Sequence, residues 1–240
     1  DDGVVENTIP VATTTSNSQG FYTFSGLRPH FYAIKFEAAA GYFPVVQGAQ
    51  SVIYTNGFTA DFLLTSNESD NTKDAGYYRK ASVGGRVWID SNANGVREAN
   101  EADMEDVLLV FFFFQAEDGI RDGPSLGAIF TTAAGTYQFT DLDPGNYLIH
   151  CVIPFEHYVT QRNNQNNNDA FDCDMNFNGW SNTITLTSGT MDFSNDAGFY
   201  KQAKMNHFVW EDINQNGIQD LGEPGMAGIP VYLYPDVNGD

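Results

Sequence analysis

Oxygen-bearing side chains recur at fixed spacing in two twelve-residue stretches, Asp90-Ser-Asn92-Ala-Asn94-Gly95-Val96-Arg-Glu98-Ala-Asn-Glu101 and Asp212-Ile-Asn214-Gln-Asn216-Gly217-Ile218-Gln-Asp220-Leu-Gly-Glu223, which start 122 residues apart. Side-chain oxygens stand at positions 1, 3, 5, 9 and 12 with Gly at 6, the spacing by which a tight loop wraps one Ca²⁺. The backbone carbonyl of position 7, Val96 or Ile218, would join a Glu at 12. Asp, Asn and Gly also dominate ordinary hairpin turns, because Asx side chains bond nearby backbone and Gly tolerates positive φ. A turn does not require Glu six residues after the Gly, and the two copies agree at every oxygen position while the residues between them differ. Hard oxygen donors without His or Cys favour Ca²⁺ over Zn²⁺, and their number favours it over Mg²⁺, which keeps more of its own water.

The elements that must position these loops are also repeated. Asp74-Ala-Gly-Tyr-Tyr78 returns as Asp196-Ala-Gly-Phe-Tyr200, and Gly84-Gly-Arg-Val-Trp88 returns loosely as Asn206-His-Phe-Val-Trp210. Gly20-Phe-Tyr-Thr-Phe24 with Leu27, Pro29 and Tyr32 matches Gly135-Thr-Tyr-Gln-Phe139 with Leu142, Pro144 and Tyr147, at the shorter offset of 115 residues. The order is the C-terminal part of a first repeat (1–80), a complete repeat (81–203) and the N-terminal part of a third (204–240), so the chain reads as a fragment of a tandem array. Short segments rich in Val, Ile, Tyr, Phe and Thr, such as Thr136–Thr140, Asn146–His150 and Thr183–Thr187, alternate with polar residues and are punctuated by Gly, Pro, Asn and Asp, and no helical period is sustained. This pattern predicts an all-β chain of tandem antiparallel β-sandwich domains. The connections between repeats are short, which predicts a semi-rigid array.

Composition narrows the function classes. The 240 residues are 42% hydrophobic and 14% aromatic, enough for packed cores. With 31 acidic against 11 basic residues, a net charge of −20 disfavours nucleic acid and anionic membranes and favours cations. No apolar run reaches the ~20 residues of a membrane span. Cys151 and Cys173 are too few for a disulfide scaffold, though they could pair outside the cell. His30, His150, His157 and His207 lie in unrelated contexts, and no hydrolase elbow, P-loop or dinucleotide fingerprint occurs. The expectation is a non-enzyme.

Val-Trp-x-Asp-x-Asn-x-Asn-Gly, Glu223-Pro-Gly-Met-Ala-Gly-Ile-Pro-Val231, Gly-x-Tyr-x-Phe-x-x-Leu-x-Pro-Gly-x-Tyr and Asp-Ala-Gly-Phe-Tyr together resemble the SdrD-type B repeat of bacterial surface adhesins, a relative of collagen-adhesin B (Cna B) modules. The resemblance covers essentially the whole chain. It implies a prealbumin-like, immunoglobulin-like β-sandwich, Ca²⁺ in the loops, an extracellular or cell-surface location, and a stalk role with neighbouring repeats as partners. An extracellular protein or glycan ligand would bind through other domains. The calcium loop carries over onto Asp90, Asn92, Asn94, Glu98 and Glu101 and onto Asp212, Asn214, Asn216, Asp220 and Glu223. Further acidic residues that the family places before the penultimate strand correspond here to Asp169, Asp172 and Asp174, a second candidate site whose alternative is a solvated acidic loop. Related modules carry a Lys to Asn isopeptide bond, but residues 81–200 contain no lysine, which leaves stiffening to calcium. The alternative function is a carbohydrate- or protein-binding accessory module of a secreted multidomain enzyme, with Trp180 and Phe177 as the local aromatic candidate.

One stretch departs from the pattern. Gln115-Ala-Glu-Asp-Gly-Ile-Arg-Asp122 after four consecutive Phe is what CAA GCA GAA GAC GGC ATA CGA GAT would encode, a string that resembles a common short-read sequencing adaptor. Residues 112–122 therefore read as a library insert, and Glu117 and Asp118 are not taken as a catalytic pair.

Overall fold

The computed structural model describes residues 9–113, 125–162 and 171–234. Two compact units divide the chain, Asp1–Lys201 and Gln202–Asp240. Among the described residues every regular element is a strand, and no helix is long and apolar enough to cross a membrane.

The complete repeat contains β5 (Ala81–Ile89), β6 (Leu108–Phe113), β7 (Ser125–Phe130), β8 (Thr136–Leu142), β9 (Gly145–Cys151), β10 (Tyr158–Val159), β11 (Ile184–Leu186), β12 (Met191–Asp192) and β13 (Ala197–Tyr200). It is preceded by β1 (His30–Tyr32), β2 (Phe43–Pro44), β3 (Phe62–Leu64) and β4 (Tyr77–Tyr78) of the first repeat. Two sheets of the complete repeat face each other. One runs β11-β9-β6-β7, antiparallel throughout. The other is built on β5, with β8 antiparallel along one edge and β12 then β13 parallel along the other, β13 continuing to β10.

The period of two in the sequence becomes the core. From the β5 sheet come Val83, Val87, Tyr137, Phe139 and Phe199, and from the other Leu109, Phe111, Tyr147, Ile149, Cys151, Ile184 and Leu186, all in one buried cluster. Fully burying each large apolar side chain contributes roughly 1.5–3 kcal/mol. Phe111 stacks on Phe139 and Tyr147 at centroid distances of 4.7 and 4.8 Å. Strand β5 is covered on both edges and buried almost throughout. A Cβ on Gly84 or Gly85 would strike the backbone of Tyr137 or Asn195, so the Gly-Gly pair permits this close approach.

Phe111, Phe112 and Phe113 of the Phe run lie in register in β6. Phe112 and Phe113 pair with Leu148 and Tyr147 of β9, Phe113 meets Tyr147 edge-on, and Phe112 tilts against Trp180. Phe114 to Asp122, including Glu117 and Asp118, lie outside the described residues.

The first repeat reuses the same local rules. His30↔Leu64 in β1–β3 stands where Gly145↔Leu186 stands in β11–β9, and Phe43↔Tyr78 in β2–β4 where Tyr158↔Tyr200 stands in β10–β13. The equivalence extends to side chains: Ile34 N–H donates to Thr59 Oγ1 at 3.0 Å, and Ile149 N–H to Ser181 Oγ at 2.9 Å. Only Arg79 and Lys80 separate β4 from β5.

Candidate metal centre

The loop begins where β5 ends. Trp88 is fully buried, and Gly198 of β13 lies beneath it so closely that a Cβ there would come within 2.7 Å of the indole. This contact explains why position 198 is a glycine. Two residues on, Asp90 is also fully buried, and its N–H donates to Phe199 O at 2.8 Å. Ala93 and Gly95 turn the chain at φ of 57° and 81°. Gly95 is required twice over, because a Cβ there would also collide with the Gln161 carbonyl.

Side-chain oxygens then gather the loop's own amides. Asp90 Oδ2 accepts Gly95 N–H at 2.7 Å, and Asn94 Oδ1 accepts Val96 N–H at 2.7 Å. Glu101 Oε1 and Oε2 accept Ser91 N–H at 2.7 Å and Glu98 N–H at 3.1 Å. Asn92 Oδ1 accepts Asn94 N–H at 3.0 Å, and Asn94 Nδ2 donates to Glu98 Oε1 at 2.6 Å.

The electrostatics leave negative charge uncompensated. Glu98 Oε2 is buried and accepts no hydrogen bond. The Glu98 and Glu101 carboxylates interact: the Asn94 amide holds Glu98 below its usual range, whereas burial pushes Glu101 up. Arg97 and Arg86 both pair with Asp103, at 2.9 and 3.5 Å. Among the described residues no Lys or Arg ion pair reaches Asp90, Glu98 or Glu101. A buried carboxylate in that condition is costly unless a cation compensates it. The donor set therefore fits a hard cation in its chemistry: three carboxylates, two amide oxygens and the Val96 carbonyl. Among the described residues no group of three or more His, Cys, Asp or Glu side chains could hold a metal ion by itself, so the Asn amides and the carbonyl would be part of any such site.

The second acidic stretch lies beside this loop. Val96 bridges to Asp172, Phe171 O accepts Arg97 N–H at 2.7 Å, and Cys173 N–H donates to Gly95 O at 3.1 Å. Asp172 is buried there. Asp174 is engaged elsewhere, its Oδ2 accepting Asp196 N–H at 2.7 Å. Asp169 lies outside the described residues. Asp196 was not singled out from the sequence, although its place in the repeated Asp-Ala-Gly motif was the available signal. Burial pushes its carboxyl up to about 8, against the Arg86 N–H that donates to Oδ1 at 2.6 Å. Thr160 left no sequence signal at all. It is buried, and its hydroxyl donates to Asp90 Oδ2.

The loop in the second unit has the same interior. Gly217 N–H donates to Asp212 Oδ2 at 2.7 Å, Ile218 N–H to Asn216 Oδ1 at 2.7 Å and Ile213 N–H to Glu223 Oε1 at 2.9 Å. Asn214 and Asn216 both donate to Asp220 Oδ2 at 2.7 Å, and Asp220 N–H to Glu223 Oε2 at 3.0 Å. Gln215 and Gly217 hold φ of 57° and 78°. Here Asp212 and Glu223 are only half-buried, and the residues between them are exposed.

Cys151 and Cys173 are both fully buried and free, and burial pushes the Cys173 thiol up to about 11 and Cys151 further still. Trp180 stacks on His150 with centroids 4.4 Å apart, which leaves Phe177 as the exposed ring of that pair.

A family model described as the SdrD B-like domain matches residues 81–199 and 203–240. Serine-aspartate repeat-containing protein F of Staphylococcus epidermidis is 32% identical over 227 residues, 93% of this chain and 12% of that protein. Serine-aspartate repeat-containing protein E of Staphylococcus aureus is 34% identical over 244 residues, 96% of this chain and 20% of that protein. The chain thus spans a fifth or less of the length of these curated relatives. Among solved structures, a minor pilin of Streptococcus agalactiae overlaps 80% of this chain and 68% of its own, at 11% identity and a TM-score of 0.33.

Proposed function

The chain belongs to the SdrD B-like domain family, and from that premise we propose that its repeats bind Ca²⁺ in the Asp90–Glu101 and Asp212–Glu223 loops and act as a semi-rigid spacer in an extracellular adhesin-like protein. It is a structural repeat of an all-β sandwich type, not an enzyme. The observation that carries the calcium reading is the loop interior, made twice from the same hydrogen bonds around different intervening residues.

In the complete repeat, Asp90, Asn92, Asn94, Glu98, Glu101 and the Val96 carbonyl would hold the ion. Asp172 is near enough to Val96 to extend the negative field, and a second ion would draw on Asp169, Asp172 and Asp174. Bound Ca²⁺ supplies the positive charge that the buried carboxylates lack. Asp90 and Glu101 meanwhile hold the loop through Gly95, Ser91 and Glu98 N–H groups, and so keep the chain turned for the carbonyl at position 7.

The spacer reading is supported by the joint within the first unit. Arg79 N–H donates to Ser188 Oγ at 2.8 Å, Gly189 N–H to Arg79 O at 3.1 Å, and Lys80 Nζ pairs with Asp143 at 2.8 Å. Lys80 also lies over the rings of Phe43 and Tyr78, 5.2 and 5.7 Å from their centroids, which ties the first repeat to the complete one. The binding-module reading is weaker, because Trp180 already stacks on its own cross-strand neighbour.

Thermal unfolding with Ca²⁺ and with a chelator tests the proposal. Ca²⁺ at a hundredfold excess over its dissociation constant should stabilise by ~2.7 kcal/mol, a shift of roughly 5–10 °C for a domain of this size. The shift should disappear in D90A/E101A. An unchanged melting temperature in the parent chain would overturn the calcium reading.

A further inference from the structure

Thr160 is the residue that follows β10, 70 positions from Asp90, yet it closes on the loop. Its hydroxyl donates to Asp90 Oδ2, and its own N–H donates to Gly198 O at 3.0 Å. The neighbouring Phe199 O accepts Asp90 N–H at 2.8 Å. Asp90, Thr160 and β13 thus form a closed hydrogen-bonded circuit between the front half of the repeat, which carries the loop, and the back half. The back half adds the Gln161 carbonyl beneath Gly95, the Cys173 N–H on Gly95 O and the Phe171 carbonyl on Arg97 N–H.

The second unit's loop makes the same internal hydrogen bonds, with Asp212 Oδ2 accepting Gly217 N–H, so the turn itself is made by the loop's own residues and the Thr160 contact is an addition to it.

We propose that Thr160 is a positioning residue for the cation: it orients the Asp90 carboxylate and makes tight Ca²⁺ binding at Asp90–Glu101 depend on closure of the back half of the repeat. This rests on the calcium reading above. The physical basis is that a hydroxyl donating to one carboxylate oxygen fixes the group's rotamer and leaves its remaining lone pairs directed at the ion. Loss of such an outer partner weakens metal affinity roughly tenfold to a hundredfold. Pre-ordering of the loop also removes part of the entropic cost of binding.

Calorimetric titration of the 240-residue chain with Ca²⁺ tests this. In D212A, which leaves the Asp90–Glu101 loop intact, binding should persist. Added to D212A, T160V should weaken it at least about tenfold, while T160S retains it. T160V should also lower the melting temperature more in Ca²⁺ than in chelator, which a merely structural Thr160 would not do. An unchanged affinity in D212A/T160V, or an equal loss of melting temperature with and without Ca²⁺, would each overturn the proposal. Absence of binding at both loops in the parent chain would instead overturn the calcium reading on which it rests.

Discussion

The Asp90–Glu101 and Asp212–Glu223 loops hold the same turn by the same bonds in different surroundings. Asp90 Oδ2 and Asp212 Oδ2 each accept the amide of the loop glycine at 2.7 Å. Each closing Glu accepts two amides of its own loop. Yet Asp90 is fully buried while Asp212 is half-exposed. The turn is therefore a property of twelve residues, whereas the burial that makes its charge costly, and so responsive to a cation, belongs to the sandwich around it.

The largest effect that separates the two should come from the first carboxylate. D90A strands the buried Gly95 N–H and Thr160 hydroxyl, and should cost more than about 3 kcal/mol in urea unfolding even in chelator. D212A should change stability by less than ~0.5 kcal/mol in the same buffer. Equal losses would mean that the loop alone carries the energy, and the comparison would fail.

The glycines sharpen the contrast at the next level. G198A pushes a methyl into the Trp88 indole and should destabilise by about 2 kcal/mol or more. At the equivalent Gly76 of the first repeat a Cβ would meet only Val45 and Ser51, at 3.6 Å or beyond, and G76A should cost under about 1 kcal/mol. G95A suffers both a positive φ and the Gln161 carbonyl, and should cost about 2 kcal/mol against ~1 kcal/mol for G217A, where only φ is at stake. Melting temperatures of the four variants would rank these effects.

The smallest effect concerns the joint between repeats. The Lys80 ammonium holds the Asp143 carboxyl below its usual range. A lowered folded-state pKa means that the pair's contribution is present above the ordinary carboxylate range and lost as pH falls through the lowered value. K80Q should return the Asp143 carboxyl toward its ordinary titration, readable by NMR, with little change in global stability. Gln202 stands at the sequence position equivalent to Lys80.

Much of this was legible because it is local or periodic. Alternation at Thr136–Thr140, Asn146–His150 and Thr183–Thr187 marked β8, β9 and β11 to within two residues at either end. The repeated Asp-Ala-Gly pointed to a shared role without saying which; only the packing shows Gly198 under Trp88 and Asp196 receiving Arg86 N–H. The parallel pairing of β12 and β13 on β5 had no counterpart in the pattern, since alternation sets which face is buried and says nothing of a neighbour's direction.

The sequence by itself determined the two loops, the offsets of the repeats, the all-β class and the strands that form the core, because each depends on side chains bonding their own backbone or alternating across a sheet. Only the closed sandwich brings Thr160 to Asp90 across 70 residues, sets Asp172 opposite Val96 and buries Asp90. Those contacts depend on where the closing sandwich brings distant segments, and a hydroxyl that binds a carboxylate there is indistinguishable along the chain from the valine at its equivalent, Val45.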